Sequence, residues 1–113
     1  MPEEYVPDRG HLIWLFLEPH AGREQAGRRP VLTISPASYN VQSDLALFCP
    51  VTSRVKGYPF EVPVPGGSPV AGVILADQVK SLDWRSRNAD FIAAVPPETL
   101  TEVVDLVKAL LGR

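Results

Sequence analysis

The sequence predicts a mainly β protein closed by one C-terminal helix. Three observations carry this reading: short runs of branched and aromatic residues, turn chemistry between them, and a change to helical periodicity near the end. With 12 prolines and 8 glycines in 113 residues the chain cannot be mostly helical, because each costs about 1 to 3 kcal/mol in a helix interior. The strand-like runs are, in order, His11 to Leu17, Val31 to Ser35, Leu45 to Val51, Pro59 to Val64, Val73 to Asp77 and Ala89 to Val95. Pro19, Gly22, Gly27 and Pro30 punctuate a polar stretch between the first two runs, which reads as a long exposed loop. Pro63, Pro65, Gly66, Gly67 and Pro69 mark a second loop. From Pro97 onward Leu100, Val103, Val104, Val107, Leu110 and Leu111 recur at helical spacing, with Glu98, Thr101, Glu102, Asp105 and Lys108 on the opposite face. Pro97 suits the first helical position and Gly112 the stop, and the acids precede Lys108 as the helix dipole favours. Short strands and one closing helix make a small, strongly bent sheet or a partly open barrel whose core the helix covers. No repeat or linker divides the chain, so residues 1–113 are expected to form one domain.

Composition bounds the function. At 45% hydrophobic and 21% charged residues the chain has a globular make-up, with enough apolar surface for one core but little surplus, so oligomerisation is a reasonable supplement. The apolar stretch Leu12 to Leu17 ends at Glu18, far short of the roughly 18 residues that cross a bilayer, so no membrane role is expected. Met1-Pro2-Glu3-Glu4 lacks the basic start of a secretory signal, which points to the cytoplasm. Cys49 is the sole cysteine; it excludes an internal disulfide and a cysteine zinc site, and within Leu45 to Val51 it reads as a small buried hydrophobe.

Net charge is −2, but the middle of the chain is basic: Arg23, Arg28, Arg29, Arg54, Lys56, Lys80, Arg85 and Arg87 cluster there. No Gly-rich phosphate loop occurs, no close metal-ligand spacing is present, and no G-x-S-x-G elbow appears. Neither a cofactor nor a metal is therefore expected. Polar chemistry concentrates instead in three segments: Gly22 to Pro30, Thr52 to Phe60, and Asp77 to Ser81 with Asp83-Trp84-Arg85 beyond. Arginine forks suit phosphate oxygens and aromatic faces suit unstacked bases, so together they point to single-stranded nucleic acid.

At these segments the chain resembles a known family. Tyr5-Val6-Pro7-Asp8, Gly10 to Trp14, Glu24 to Gly27 with Arg29-Pro30, Lys56 to Val62 and Ala76 to Ser81, in this order, are similar to the MazF/PemK toxin endoribonucleases. The resemblance runs from about Tyr5 to the terminal helix. It implies an SH3-like barrel of the CcdB/MazF/PemK type, a homodimer, and metal-free cleavage of single-stranded RNA to 2′,3′-cyclic phosphate and 5′-hydroxyl ends. It also implies a MazE-like antitoxin lying over the RNA-binding surface. By position, it makes Arg29 and Thr52 the catalytic residues, and Glu24, Gln25 and Gln78 contacts or supports of the site; the basic Arg28, Lys56 and Lys80 join them as candidate RNA contacts. The connection after Val62 and the loop holding His20 and Arg23 depart from the pattern, so the cleavage sequence does not carry over.

The residue chemistry supports this reaction in part. When a ribose 2′-hydroxyl attacks phosphorus, a site must remove one proton, deliver another to the leaving 5′-oxygen and stabilise extra negative charge. Arg29 suits the last task and is a poor base, because a guanidinium stays protonated near neutral pH. Thr52 can position or relay a proton, and a second group, Glu24 or a water, is needed to complete the relay. The bland reading of Thr52 is a strand-end hydroxyl bonding its own backbone. Trp14 reads as core or dimer interface, Trp84 as a turn anchor before a base-stacking ring, and His11 and His20 as separate structural or solvated residues. Two other functions remain open: a toxin of the same fold that poisons DNA gyrase by binding it, for which the Trp-Gly-Ile ending is missing, and an SH3-like module that binds an extended peptide.

Overall fold

The computed structural model of the chain describes residues 4–17 and 27–112. Glu24 and Gln25, with His20 and Arg23, lie outside the described residues. Among the described residues there are seven strands and two α-helices: β1 (His11–Phe16), β2 (Arg28–Thr33), α1 (Ala37–Ser43), β3 (Leu45–Thr52), β4 (Glu61–Pro63), β5 (Val73–Leu75), β6 (Lys80–Asp83), β7 (Asp90–Ala94) and α2 (Pro97–Leu110). Every strand pairing is antiparallel, in the order β4-β5-β3-β2-β1-β7, with β6 added against β3. The sheet is open, with β4 and β7 as its ends.

Both faces of the sheet are buried, which side-chain alternation along the strands dictates. One face gathers Leu12, Leu32, Cys49, Val51, Val62 and Ile74 around Val103 of α2. Strands from opposite ends of the sheet meet in this one cluster, so the sheet curls around it. The other face packs Ile13, Leu15, Val31, Ala46 and Phe48 against Trp84. Cys49 belongs to the first cluster, and burial followed by the nearby Asp77 charge pushes its thiol up to about 12. Trp84 is 2% exposed and donates its indole N–H to the Asn40 carbonyl at 3.1 Å, so it anchors its turn and is closed to a base. Trp14 is half-buried and packs against the first cluster.

The strands expected from sequence are all present, but β2 begins three residues earlier, at Arg28. Pairing with β1 sets that start, and it moves Arg28, Arg29 and Pro30 from the loop into the sheet. Two elements carry no clear local signal. β6 is Lys-Ser-Leu-Asp, with Leu82 its one large apolar residue. α1 has no side-chain cap of its own. Asp8 supplies the missing acceptor from a distant part of the chain, accepting the backbone N–H of Ala37 and of Arg9, each at 2.8 Å. These bonds, the Ala37 one foremost, hold the Asp8 carboxyl below its usual range. In α2, Thr99 and Val103 are buried as helical spacing requires, but Leu110 and Leu111 are exposed, against the expected apolar face. The helix packs on the turn at residues 76–78 and on β4, and its last turn overhangs them.

Asn40 ties α1 to the sheet. It is fully buried; its amide donates to the Pro7 carbonyl at 2.8 Å and the Ser35 carbonyl at 2.9 Å, and its Oδ1 accepts the Ser35 hydroxyl at 2.6 Å. Asn40→Ala strands these partners without water, and is expected to lower unfolding free energy by roughly 2 to 4 kcal/mol at unchanged urea m-value. Asp8 gives a pH signature. Because its folded pKa is lowered, its contribution is present above the unfolded value near about 3.9 and is lost as pH falls through the folded one. Asp8→Asn should therefore reduce stability at pH 7 and flatten the acid limb of a urea midpoint against pH profile.

Candidate active site

The central geometric feature is the parting of β2 from β3. Thr33 lies opposite Phe48, Leu32 opposite Cys49, and the last registered pair is Val31 with Pro50. Neither Pro30 nor Pro50 has a backbone N–H to extend the ladder. Beyond this point β2 follows β1, with Arg29 opposite Leu15, while β3 follows β5, with Thr52 opposite Val73. A groove of about 470 Å³ opens between them, lined by Arg29, Pro30, Pro50, Thr52, Ser53 and Gln78, with Leu17, Val51, Ala71 and Leu75 as its apolar walls. A smaller recess of about 160 Å³ shares Thr52, Leu75 and Gln78 with it and continues to Arg54, Lys56, Tyr58, Glu61 and Asp77. The cleft between residues 65–69 and the end of β7, about 260 Å³, offers Ser68 as its single polar side chain.

Strand parity decides which arginine enters. Neighbouring residues of a strand point to opposite faces. Arg29 shares its face with Leu15 and lines the groove; its guanidinium also donates to the Arg28 carbonyl at 3.1 Å. Arg28 turns to the other face, 4.7 Å over the Trp14 ring and 3.8 Å from the Asp90 carboxylate. Lys80, opposite Phe48 on β6, is exposed and also stands outside the groove. The structure thus brings Arg29, Thr52, Lys56 and Gln78 together along one surface and separates Arg28 and Lys80 from it. Arg85 and Arg87 are occupied elsewhere: Arg85 pairs with Asp44 and Glu4, which raises its pKa further. Arg87 donates to the carbonyls of Phe16 and Leu17, holding the end of β1 beside the groove.

Thr52 stands at the end of β3. Its Oγ1 accepts the backbone N–H of Arg54 at 3.1 Å, the local turn bond expected of a strand-end hydroxyl. That bond uses one lone pair and leaves the O–H donor and the second lone pair for a ligand. Gly72 makes room behind it. Its φ is +126°, and a Cβ there would meet the Thr52 carbonyl oxygen at 2.1 Å. Glu61 fixes the next loop by accepting the N–H groups of Lys56, at 3.1 Å, and Gly57, at 2.9 Å. Gly72 escaped sequence reasoning, and Ser53, Glu61 and Asp77, though inside stretches already singled out, carried no role of their own there, because β3–β5 and β4–β5 pairing brings them together over distances no local motif spans. Among the described residues no group of three or more His, Cys, Asp and Glu side chains converges as a cation site. Nor is any described helix long and apolar enough to cross a membrane.

A small open β sheet thus carries a cation and a hydroxyl along one surface groove, an arrangement whose donors suit an anionic ligand. A family model described as PemK-like, MazF-like toxin of type II toxin-antitoxin system matches residues 8–111. The endoribonuclease toxin MazF of Escherichia coli K12 is 46% identical over 112 residues, spanning 99% of this chain and 100% of that protein. Crystal structures of MazF and of a MazE–MazF complex from Deinococcus radiodurans superpose with TM-scores of 0.88 and 0.87, at 55% and 51% identity. Each covers 97% of this chain and is covered completely, at 100%. The chain belongs to the PemK-like, MazF-like toxin family.

The Gly72 contact yields a test that needs no substrate. Gly72→Ala forces a Cβ against backbone that cannot retreat without moving Thr52, so it should cost more than about 3 kcal/mol in urea unfolding. Gly66→Ala, where nothing lies within 4 Å, serves as the control and should change stability far less.

Proposed function

We propose that this chain is the toxin of a toxin–antitoxin pair, an endoribonuclease that cuts single-stranded RNA, including mRNA, and so arrests translation and growth. The observation that carries the proposal is the shared groove of Arg29 and Thr52 at the parting of β2 and β3. The likeness to endoribonuclease MazF along the whole chain supports it. The whole chain acts as one toxin domain, in the cytoplasm, as a homodimer.

The groove supports cleavage by the RNA's own 2′-hydroxyl. The 2′-oxygen attacks the adjacent phosphorus as it loses its proton, and the bond to the 5′-oxygen breaks as that oxygen gains one. The products are a 2′,3′-cyclic phosphate and a 5′-hydroxyl, with no metal taking part. Arg29, permanently cationic, stabilises the negative charge that grows on the phosphoryl oxygens. Thr52 directs its O–H to the same phosphate while the Arg54 N–H holds its oxygen in place. Lys56 and Gln78 contact the flanking RNA. Glu24 and Gln25 contact the RNA or support the site, with Glu24 or a water completing the proton relay. A MazE-like antitoxin inhibits by covering the same surface, supported by the MazE–MazF complexes among the similar structures.

The decisive experiment is incubation with a long RNA in excess EDTA, with every cut and end group mapped. Discrete cuts with cyclic phosphate ends are expected. Arg29→Ala, folded by circular dichroism, should lose at least about 100-fold in rate, the scale of one lost charge-stabilising donor. Undiminished cleavage by Arg29→Ala would sink the assignment, and no cleavage by folded wild type would move the chain to a binding role. Binding of an uncleavable RNA should weaken with salt, at a log–log slope of about −2 if Arg29, Arg54 and Lys56 each meet one phosphate.

A further inference from the structure

The recess beyond the groove holds an aromatic ring that the cleavage chemistry does not use. Tyr58 is 56% exposed although it is one of the larger apolar side chains. It does not sit on a loose loop. Tyr58-Pro59-Phe60-Glu61 is a β-turn closed by the Glu61 N–H to the Tyr58 carbonyl at 3.1 Å, with proline at the position that favours it. Gly57, just before, takes φ +82°, and the Glu61 carboxylate accepts the backbone N–H groups of Lys56 and Gly57. The Phe60 carbonyl accepts the Ala76 N–H at 3.0 Å, which locks the turn to the segment bearing Asp77 and Gln78. A rigid turn therefore presents an uncovered ring.

Its surroundings suit one planar ligand. The Lys56 ammonium lies 5.6 Å from the ring centroid, and the recess of about 160 Å³ brings Asp77, Gln78 and Arg54 to its rim. It joins the main groove through Thr52, Leu75 and Gln78, so an RNA strand passing Thr52 runs directly into it. Aromatic faces stack on nucleobases, and each base offers a π face to meet them. Carboxylate, amide and guanidinium groups at the rim can meet a base edge.

We infer that Tyr58 is the stacking platform of a nucleobase subsite that flanks the cleaved phosphate, with Lys56 taking the phosphate next to that base. The inference rests on the ribonuclease reading above and adds to it the part of the protein that selects sequence. Tyr58 thus holds and orients the base, apart from the Arg29–Thr52 chemistry, while the rim groups Asp77, Gln78 and Arg54 read its edge.

The test uses an oligoribonucleotide spanning a mapped cut, made uncleavable by a 2′-deoxy residue at the attacking sugar, and a series carrying one abasic residue at each flanking position. With wild type, one abasic position is expected to weaken binding roughly 10- to 100-fold. Tyr58→Phe keeps this pattern, whereas Tyr58→Ala weakens the intact oligonucleotide by a similar factor and then loses nothing further at that position. Tyr58→Leu, which keeps apolar bulk without a π face, repeats the measurement should the alanine variant fold poorly. In cleavage, the loss appears in KM far more than in kcat, and the base preference at that position relaxes. Losses that simply add at every position, or an unchanged cutting pattern in both variants, overturn the subsite while leaving the ribonuclease intact. Wild type that neither binds nor cuts RNA overturns both.

Discussion

Two prolines that cannot donate to a ladder determine where this sheet opens. Pro30 and Pro50 lie where β2 and β3 separate, and each strand beyond them finds another neighbour, β1 for one and β5 for the other. Backbone bonding is thereby kept on the outer sides of both strands while the space between them is released to solvent. Everything chemical in the groove follows from that parting. Arg29 rides on the wall that stays with β1, Thr52 on the wall that stays with β5, and both walls are rooted in buried core.

Such a site is held by strands, and its loops are held by polar contacts made to the backbone. Glu61 grips two N–H groups of the loop after Thr52, Arg87 grips the carbonyls that end β1, and Gly72 lets the bend just before β5 approach Thr52 closely. Each of these acts on main chain rather than on a ligand. A groove assembled this way needs little reorganisation when an anion arrives, which matters because electrostatic stabilisation is strongest when its dipoles and charges are already placed. Arg28 shows the same economy in reverse: its stack on Trp14 and its pairing with Asp90 occupy it on the opposite face.

How much of this was legible depended on how local each signal was. The helix α2 declared itself because its period, its opening proline and its closing glycine all lie within one segment; only the exposure of Leu110 and Leu111 required knowing how far the sheet reaches beneath it. The long apolar strands were equally plain. β6 and α1 were not, since one is mostly polar and paired by register alone, and the other takes its N-terminal acceptor from Asp8, far away in sequence. Arg29 and Thr52 came from the resemblance to the toxin family, while composition alone marked only basic, hydroxyl-bearing loops. Their common groove was invisible, because it depends on β2 starting at Arg28 and on Thr52 lying beside β5. Once that start is fixed, alternation alone separates Arg29 from Arg28.

The structural and chemical readings of Thr52 are compatible, because they use different parts of one hydroxyl. The Arg54 N–H donates to the oxygen and fixes its position at the lip of the groove. A hydroxyl held through a lone pair still has its proton to give, and a donor N–H makes that proton slightly easier to share. The turn bond therefore holds the oxygen without consuming its O–H donor. In the proposed reaction Arg29 and Thr52 divide the work by what each can do: the guanidinium carries charge it never loses, and the hydroxyl supplies a directional, short-reach donor. Neither is a strong base, so in the proposed reaction removal of the 2′-proton falls to a third group.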